Sequence, residues 1–363
     1  MHIPRSPWRY CIAPMMDWTD RHCRFFHRQL STHARLYTEM VTTPALMHGN
    51  LPRHLDFNLE EQPVALQLGG SETDQLAHCA TLAQQWGYAE VNLNCGCPSE
   101  RVQRGAFGAC LMAEPLLVRD CVKAMVDAVG GALPVTVKHR IGIDKTDEYA
   151  FVRDFVGTVA EGGAQVFMVH ARSAWLKGLS PKENREIPPL RYDHAVQLKH
   201  DFPHLTFVLN GGITRHLDAL AQLDANVATH PEAATQAEAA TQAEAATHPD
   251  AAAHPPLDGV MIGRLAYHEP WALHDVDALF FDAAPSGLTR FEVVSAMHAY
   301  ALRETARGVP LRAITRHMLG LYQGMPGARG WRRALSDSKK LALDHPDLLF
   351  EAAAHTAPAA LAA

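Results

Sequence analysis

"EVNLNCGCPSERVQRGAFGACLMAEPLLVRDCVKAMVDAVGGALPVTVKH", residues 90–139, contains one complete unit of the pattern that decides the fold. EVNLN (90–94) alternates as a strand does, and a loop dotted with glycine and cysteine follows. PLLVRDCVKAMVDAVG (115–130) then carries apolar residues at three- and four-residue spacing, the mark of an amphipathic helix, before VTVKH (135–139) returns to a β-branched run. YCIAP (10–14), ARLYTEM (34–40), VALQL (64–68), QVFMVH (165–170), TFVLN (206–210) and DGVMI (258–262) bring the strand-like runs to eight, with helical stretches such as TDQLAHCATLAQQWG (73–87) between them. Eight alternations of strand and helix predict an α/β fold, a (β/α)8 TIM barrel whose chemistry sits on loops at the carboxyl ends of its strands. A doubly wound open sheet is the alternative. The polar or glycine-containing signature directly after each strand favours a ring of loops around one pocket.

A chain of 363 residues, 47% of them hydrophobic, is long enough for one large barrel and an appendage. Residues 1–285 are expected to form the barrel. Within them, 225–256 is an Ala-rich low-complexity insertion, with TQAEAA twice in succession and flanking His-Pro pairs. Its histidines sit beside prolines and do not suggest a metal site. From Thr289 the pattern becomes helical, which predicts a small all-helical domain over 286–345 and an Ala-rich tail, 346–363, that ends in a fraying helix. The amino terminus has no signal-peptide-like apolar core, and no run approaches the roughly 18 apolar residues of a membrane span. The expectation is a reduced, cytoplasmic monomer with no membrane partner, its seven cysteines free thiols.

The net charge of −6 is unevenly spread. Ser286 to Lys340 holds ten Arg or Lys against three Asp or Glu, so a basic segment sits on an acidic body. Such a face suits a polyanion.

The loops after the last two strands, NGGIT and MIGRLA, offer glycine backbone and Arg264 where barrels commonly bind phosphate. Single glycine pairs are often ordinary turns; two at these strands point to a phosphate cradle. Gln67, Lys138 and His170 stand where they can point into the barrel mouth, and with the backbone of APMM (13–16) they could hold a flat polar heterocycle, which suggests flavin mononucleotide. Cys95-Gly-Cys97 lacks a second ligand pair at zinc spacing, and one intervening residue is too few for a thioredoxin-type pair. Cys95 and Cys110 read as packing. Cys97 precedes Pro98 in a turn just beyond the fourth strand, from which a thiol can serve as general acid or base.

"APMMDWTDRHCR", "LYTEMVTT", "VALQLGG", "NLNCGCPSERVQRGAFGACLM", "VTVKHRIGID", "HARSAWLKGLSPKENREIPPL", "LNGGI", "GVMIGRLAY" and "TRHMLGLYQGMPGARGWRR" together resemble the tRNA-dihydrouridine synthases, most closely subfamily A. The similarity runs from Tyr10 to Arg333 and misses only the insertion. It implies a flavoenzyme that uses NADPH to reduce the 5,6 double bond of uridine at positions 20 and 20a of the tRNA D-loop, with no role for DNA. By motif, Cys97 would give a proton to ring carbon 5 while reduced flavin mononucleotide (FMN) gives hydride to carbon 6. The resemblance assigns flavin contacts to Pro14, Met15, Met16, Gln67, Lys138 and His170, with Asn210, Gly211, Gly212, Gly263 and Arg264 around the phosphate. Asn94 would touch the uridine or its neighbours; Lys182, Arg185, Arg329 and Arg332 would contact tRNA.

Two departures stand out. Cys95 replaces a usually apolar residue, and His139 follows Lys138 where a smaller residue is common and so could perturb the lysine. The alternatives are another flavin barrel reductase, which would have no use for Arg329, Arg332 and Arg333, and an RNA-binding protein that keeps the barrel as a scaffold.

Overall fold

The computed structural model describes residues 6–223 and 255–356. The insertion expected over 225–256 therefore lies outside the described residues apart from its last two, as does the end of the tail.

All eight strands form: β1 (Tyr10–Ile12), β2 (Leu36–Thr42), β3 (Val64–Gly69), β4 (Glu90–Cys95), β5 (Val135–Arg140), β6 (Val166–His170), β7 (Thr206–Asn210) and β8 (Gly259–Ile262). They are parallel and lie in the order β1-β8-β7-β6-β5-β4-β3-β2. The gap between β1 and β2 is closed by a parallel bridge from Cys11 to Arg35, with Ile12 N–H on the Arg35 carbonyl at 2.8 Å and Arg35 N–H on the Tyr10 carbonyl at 3.0 Å. Closure makes a barrel and excludes the open sheet.

Two apolar groups divide inside from outside. Tyr37, Ala65, Met168, Val208 and Met261 pack within the barrel, whereas Val91, Leu93 and Cys95 of β4 belong to the large core between strands and helices. The period-2 alternation of a strand then turns Glu90, Asn92 and Asn94 into the lumen. The helix Pro115–Val129 shows how the outer layer is made. Proline occupies its first turn, Gly130 ends it at φ 56°, and Val118, Cys121, Val122, Met125 and Val129 line its buried face. Among the described residues no helix is long and apolar enough to cross a membrane.

The C-terminal helices begin where the sequence indicates: Thr289 caps Arg290–Thr305 in a capping box with Glu292. The fraying expected of the last helix does not occur over Leu348–Ala354, because Leu348, Leu349, Ala352 and Ala353 fall on one face and are buried against its neighbours. These helices dock on the helix Arg21–Arg28 that follows β1 and on its cap Asp20. Arg21 pairs with the buried Glu304, His22 Nδ1 meets the Tyr300 hydroxyl at 2.6 Å, Phe25 stacks on Tyr300 at 4.0 Å, and His317 meets Asp20 at 3.0 Å.

Candidate active site

β4 carries Asn94 to the barrel mouth, and the chain then turns sharply. Asn94 Oδ1 accepts from the backbone N–H of Gly96 at 3.1 Å and of Cys97 at 3.0 Å, an Asx-type turn that places Cys97 at the rim. The Cys97 carbonyl accepts from Ala109 N–H at 2.9 Å. Gly108 must be glycine here, since it sits at φ 79° and a Cβ on it would come within 2.6 Å of the Cys97 oxygen. Gln103 tightens the loop by donating to the carbonyls of Pro98 (2.7 Å) and Leu176 (2.8 Å).

The mouth opens into a cavity of about 1570 Å³ that extends to the C-terminal helices at Ala313. It is larger than the roughly 300–1,000 Å³ of a usual small-molecule site. Pro14, Met15, Met16, Gln67, Asn94, Cys97, Lys138, His170, Arg185, Asn210, Gly211, Gly212, Gly263 and Arg264 all line it. Lys182, Arg329 and Arg332 do not: Lys182 is exposed next to the lining residue Pro181, and Arg329 and Arg332 are exposed on the helix Ala328–Ala334.

One wall is strongly electropositive. Lys138 borders the cavity half-buried at the end of β5, donating to Asn210 Oδ1 at 3.0 Å. That burial, and next the charge of Arg140, push its ammonium down to about 7. Burial first, then the charges of Arg140 and Lys138, hold His170 well below its ordinary value, so its imidazole is neutral. Arg140, Arg172, Arg185 and Arg264 complete the wall. Among the described residues, the carboxylate paired to them is Glu186, 2.7 Å from Arg264. The surplus of positive charge fits an anionic ligand. Gly211 (φ 113°) and Gly212 (φ 72°) run along the same side, where a Cβ would meet His170 at 2.7 Å or Leu190 at 2.4 Å.

The chain matches the dihydrouridine synthase family model over residues 11–230 and 241–357. The chain belongs to the dihydrouridine synthase family. Among its relatives, the tRNA-dihydrouridine(20/20a) synthase of Salmonella typhimurium is 53% identical over 332 residues, which are 91% of this chain and 90% of that one. The proteins of the same name from Vibrio cholerae and Escherichia coli K12 are each 52% identical over 331 residues, 91% of this chain and 91% and 86% of theirs.

Within this dihydrouridine synthase fold several sequence expectations need correction. His139 does not perturb Lys138: it faces outward between Phe155 and Phe167, its Nδ1 donating to the Arg140 carbonyl at 2.6 Å, and burial holds it neutral. Arg140 exerts that effect instead. Cys110 is only partly buried, with its thiol donating to the Phe107 carbonyl at 3.1 Å, whereas Cys95 is fully packed as expected. The Asn94 amide lines the cavity, but its oxygen holds the Cys97 turn and its nitrogen donates to Gln67 Oε1 at 2.9 Å. Arg140 and Arg172 were not singled out in the sequence. The signal for Arg140 was its place at the end of β5, two residues beyond Lys138 and therefore on the same face.

Proposed function

We propose that the chain reduces uridine to dihydrouridine in tRNA, at positions 20 and 20a of the D-loop, with FMN as its cofactor and NADPH as the electron source. The observation that carries the reading is Cys97, held on the rim of an electropositive cavity in a member of the dihydrouridine synthase family. Relatives 51–53% identical over nine-tenths of the chain bear that name.

The residues present fit a flavin mononucleotide. Arg264 and the arginine wall suit a phosphate dianion, and Gly211, Gly212 and Gly263 leave backbone uncovered there, with Asn210 at the end of β7. Pro14, Met15 and Met16 supply an apolar edge; Gln67, Lys138 and His170 supply polar contacts to the ring system. When bound, the flavin supplies hydride to carbon 6 of the uracil ring. Cys97 supplies the proton: its S–H bond breaks as a C–H bond forms at carbon 5, leaving a thiolate that Lys138 and Arg140 face. The half-buried thiol is then reprotonated from solvent. Uridine in folded tRNA must leave its stack to reach this depth, so the backbone around it needs a grip of its own. Arg185 at the cavity edge and Lys182 beside it, with Arg329 and Arg332 on the helical segment 286–345, are assigned that grip; the barrel of 1–285 holds the pocket.

Part of that segment's charge also serves the fold. Arg303 and Arg307 face Glu304 at 3.6 and 3.1 Å while staying exposed, and Arg290 stacks over Trp271 at 4.1 Å. Arg329→Ala and Arg332→Ala are each expected to weaken tRNA binding and flatten its dependence on log salt by about one unit of slope, with flavin content unchanged. Filter binding across a salt series reads both; unchanged slopes mean this face serves something else.

Lys138 gives a pH signature. A hydrogen-bond acceptor of the bound flavin beside it favours the ammonium, so FMN binding takes up a proton. Affinity is expected to be full below pH 7 and to fall as pH rises above the free-state value of about 7, by at most about tenfold per pH unit. Flavin fluorescence titrations at pH 6, 7.5 and 9 check this, and a flat profile contradicts it.

The whole reading is tested by incubating FMN-loaded protein and NADPH with an unmodified tRNA transcript and assaying nuclease digests by mass spectrometry. Dihydrouridine at 20 and 20a is the expected product. Its absence refutes the proposal.

A further inference from the structure

β4 has an inverted pattern, with polar residues facing the inside of the barrel and apolar ones outside. Glu90 lies at the floor, Asn92 above it and Asn94 at the mouth, and strand register sets Gln67 of β3 and Thr136 of β5 on either side of Asn92. All five are buried. They form one continuous series of hydrogen bonds. Asn94 Nδ2 donates to Gln67 Oε1 at 2.9 Å, Gln67 Nε2 to Asn92 Oδ1 at 2.7 Å, Asn92 Nδ2 to Thr136 Oγ1 at 2.7 Å, and Thr136 Oγ1 to Glu90 Oε1 at 2.5 Å.

The direction of this series is forced from both ends. Glu90 accepts from Trp8 Nε1 at 2.7 Å, Arg35 Nη1 at 3.1 Å and the Tyr37 hydroxyl at 2.8 Å, so the carboxylate beside Arg35 has only acceptors to offer Thr136. At the other end, the Gly96 and Cys97 N–H groups can only donate, so Asn94 must turn its oxygen to them. Each amide between has one orientation that satisfies both neighbours; reversing any of them sets donor against donor or acceptor against acceptor.

We infer that Glu90 is a positioning residue for Cys97: acting through Thr136, Asn92, Gln67 and Asn94, it fixes the amide orientation that holds the Cys97 turn at the cavity rim. The function of this arrangement rests on the reading of Cys97 as proton donor. Glu90 never approaches the cavity and touches no reacting atom.

Thr136→Val removes the hydroxyl at nearly constant shape and leaves Glu90 with Arg35, Tyr37 and Trp8; Thr136→Ser keeps the hydroxyl. Two measurements on the full chain decide the matter: the iodoacetamide alkylation rate of Cys97, located by peptide mass spectrometry, and the split of kcat from KM for tRNA. Thr136→Val is expected to change the alkylation rate and lower kcat, each by roughly fivefold or more, the order expected for one lost buried hydrogen bond, with KM within about twofold. Thr136→Ser should restore both. The inference is overturned if Thr136→Val matches the parent chain in alkylation and kcat, or if serine fails as valine does. Should the valine variant not fold, Glu90→Gln decides instead, because an amide at the floor offers Thr136 a donor as well as an acceptor and no longer fixes that end of the series; an unaltered alkylation rate there refutes the inference. Alkylation needs neither flavin nor tRNA, so it separates failure of this relay from failure of the proton-donor reading, which Cys97→Ala turnover tests by itself.

Discussion

Cys97→Ala is expected to keep the fold, the bound flavin and the tRNA affinity, and to form dihydrouridine about 10²–10⁴ times more slowly, the range for loss of a positioned proton donor. The argument is local. The turn is held by backbone atoms and the Asn94 side chain, so deleting the sulfur leaves the loop's hydrogen bonds in place. What is lost is the thiol of that turn that lines the cavity, which stands opposite two cations able to stabilise the thiolate it leaves behind. Single-turnover assays with pre-reduced flavin isolate this step from flavin reduction by NADPH, which should proceed at the parent rate. A variant that turned over normally would remove Cys97 from the mechanism and leave the cavity without its proposed acid.

Arg140→Met is expected to be nearly as severe, for a different reason. The guanidinium is 3% exposed. It donates from Nε to the Gly96 carbonyl at 3.1 Å and from Nη1 to the carbonyls of Asn184 at 2.9 Å and Ser173 at 3.4 Å. One side chain thus joins the Cys97 turn to the loop that carries Lys182 and Arg185. Methionine fills the space but leaves these carbonyls without their donor, at about 1–3 kcal/mol each. Urea unfolding should show destabilisation of about 3 kcal/mol or more, and kcat should fall by about 10²-fold as the turn loses its anchor and the thiolate a facing charge. Lys138 also loses the charge that helps depress it, so the pH at which FMN affinity begins to fall should move upward. Unchanged urea midpoints and turnover would show that the interaction is incidental.

The barrel was legible because its signal is repeated. Each of eight short runs is ambiguous alone, yet their spacing and the signatures after them admit few topologies, and the observed strands begin or end within two residues of those runs. The mouth residues were legible because barrels place chemistry at strand ends, so Lys138 and His170 could be assigned to one cavity from order alone, whereas Asn210 came from the resemblance. Arg140 was missed since a charged residue at a strand terminus normally reads as solvated, and only the crossing of the 173–184 loop buries it. The interior face of β4 was hidden for the opposite reason: Glu90, Asn92 and Asn94 sit where pattern reasoning expects apolar filling, and their partners come from strands 25 and 46 residues away.

The C-terminal helices dock on the helix Arg21–Arg28 and its cap Asp20. Asp20 with His317, Arg21 with Glu304 and His22 with Tyr300 tie the two parts together at the edge of the cavity, and Glu304 is wholly buried in the joint. A seam clamped at three points allows little hinge motion, so the distance from the Cys97 rim to the exposed Arg329 and Arg332 is set by the architecture rather than by the guest. Under the tRNA reading the molecule is then expected to act as a calliper: an RNA of identical local sequence but different elbow spacing should bind more weakly in a competition assay.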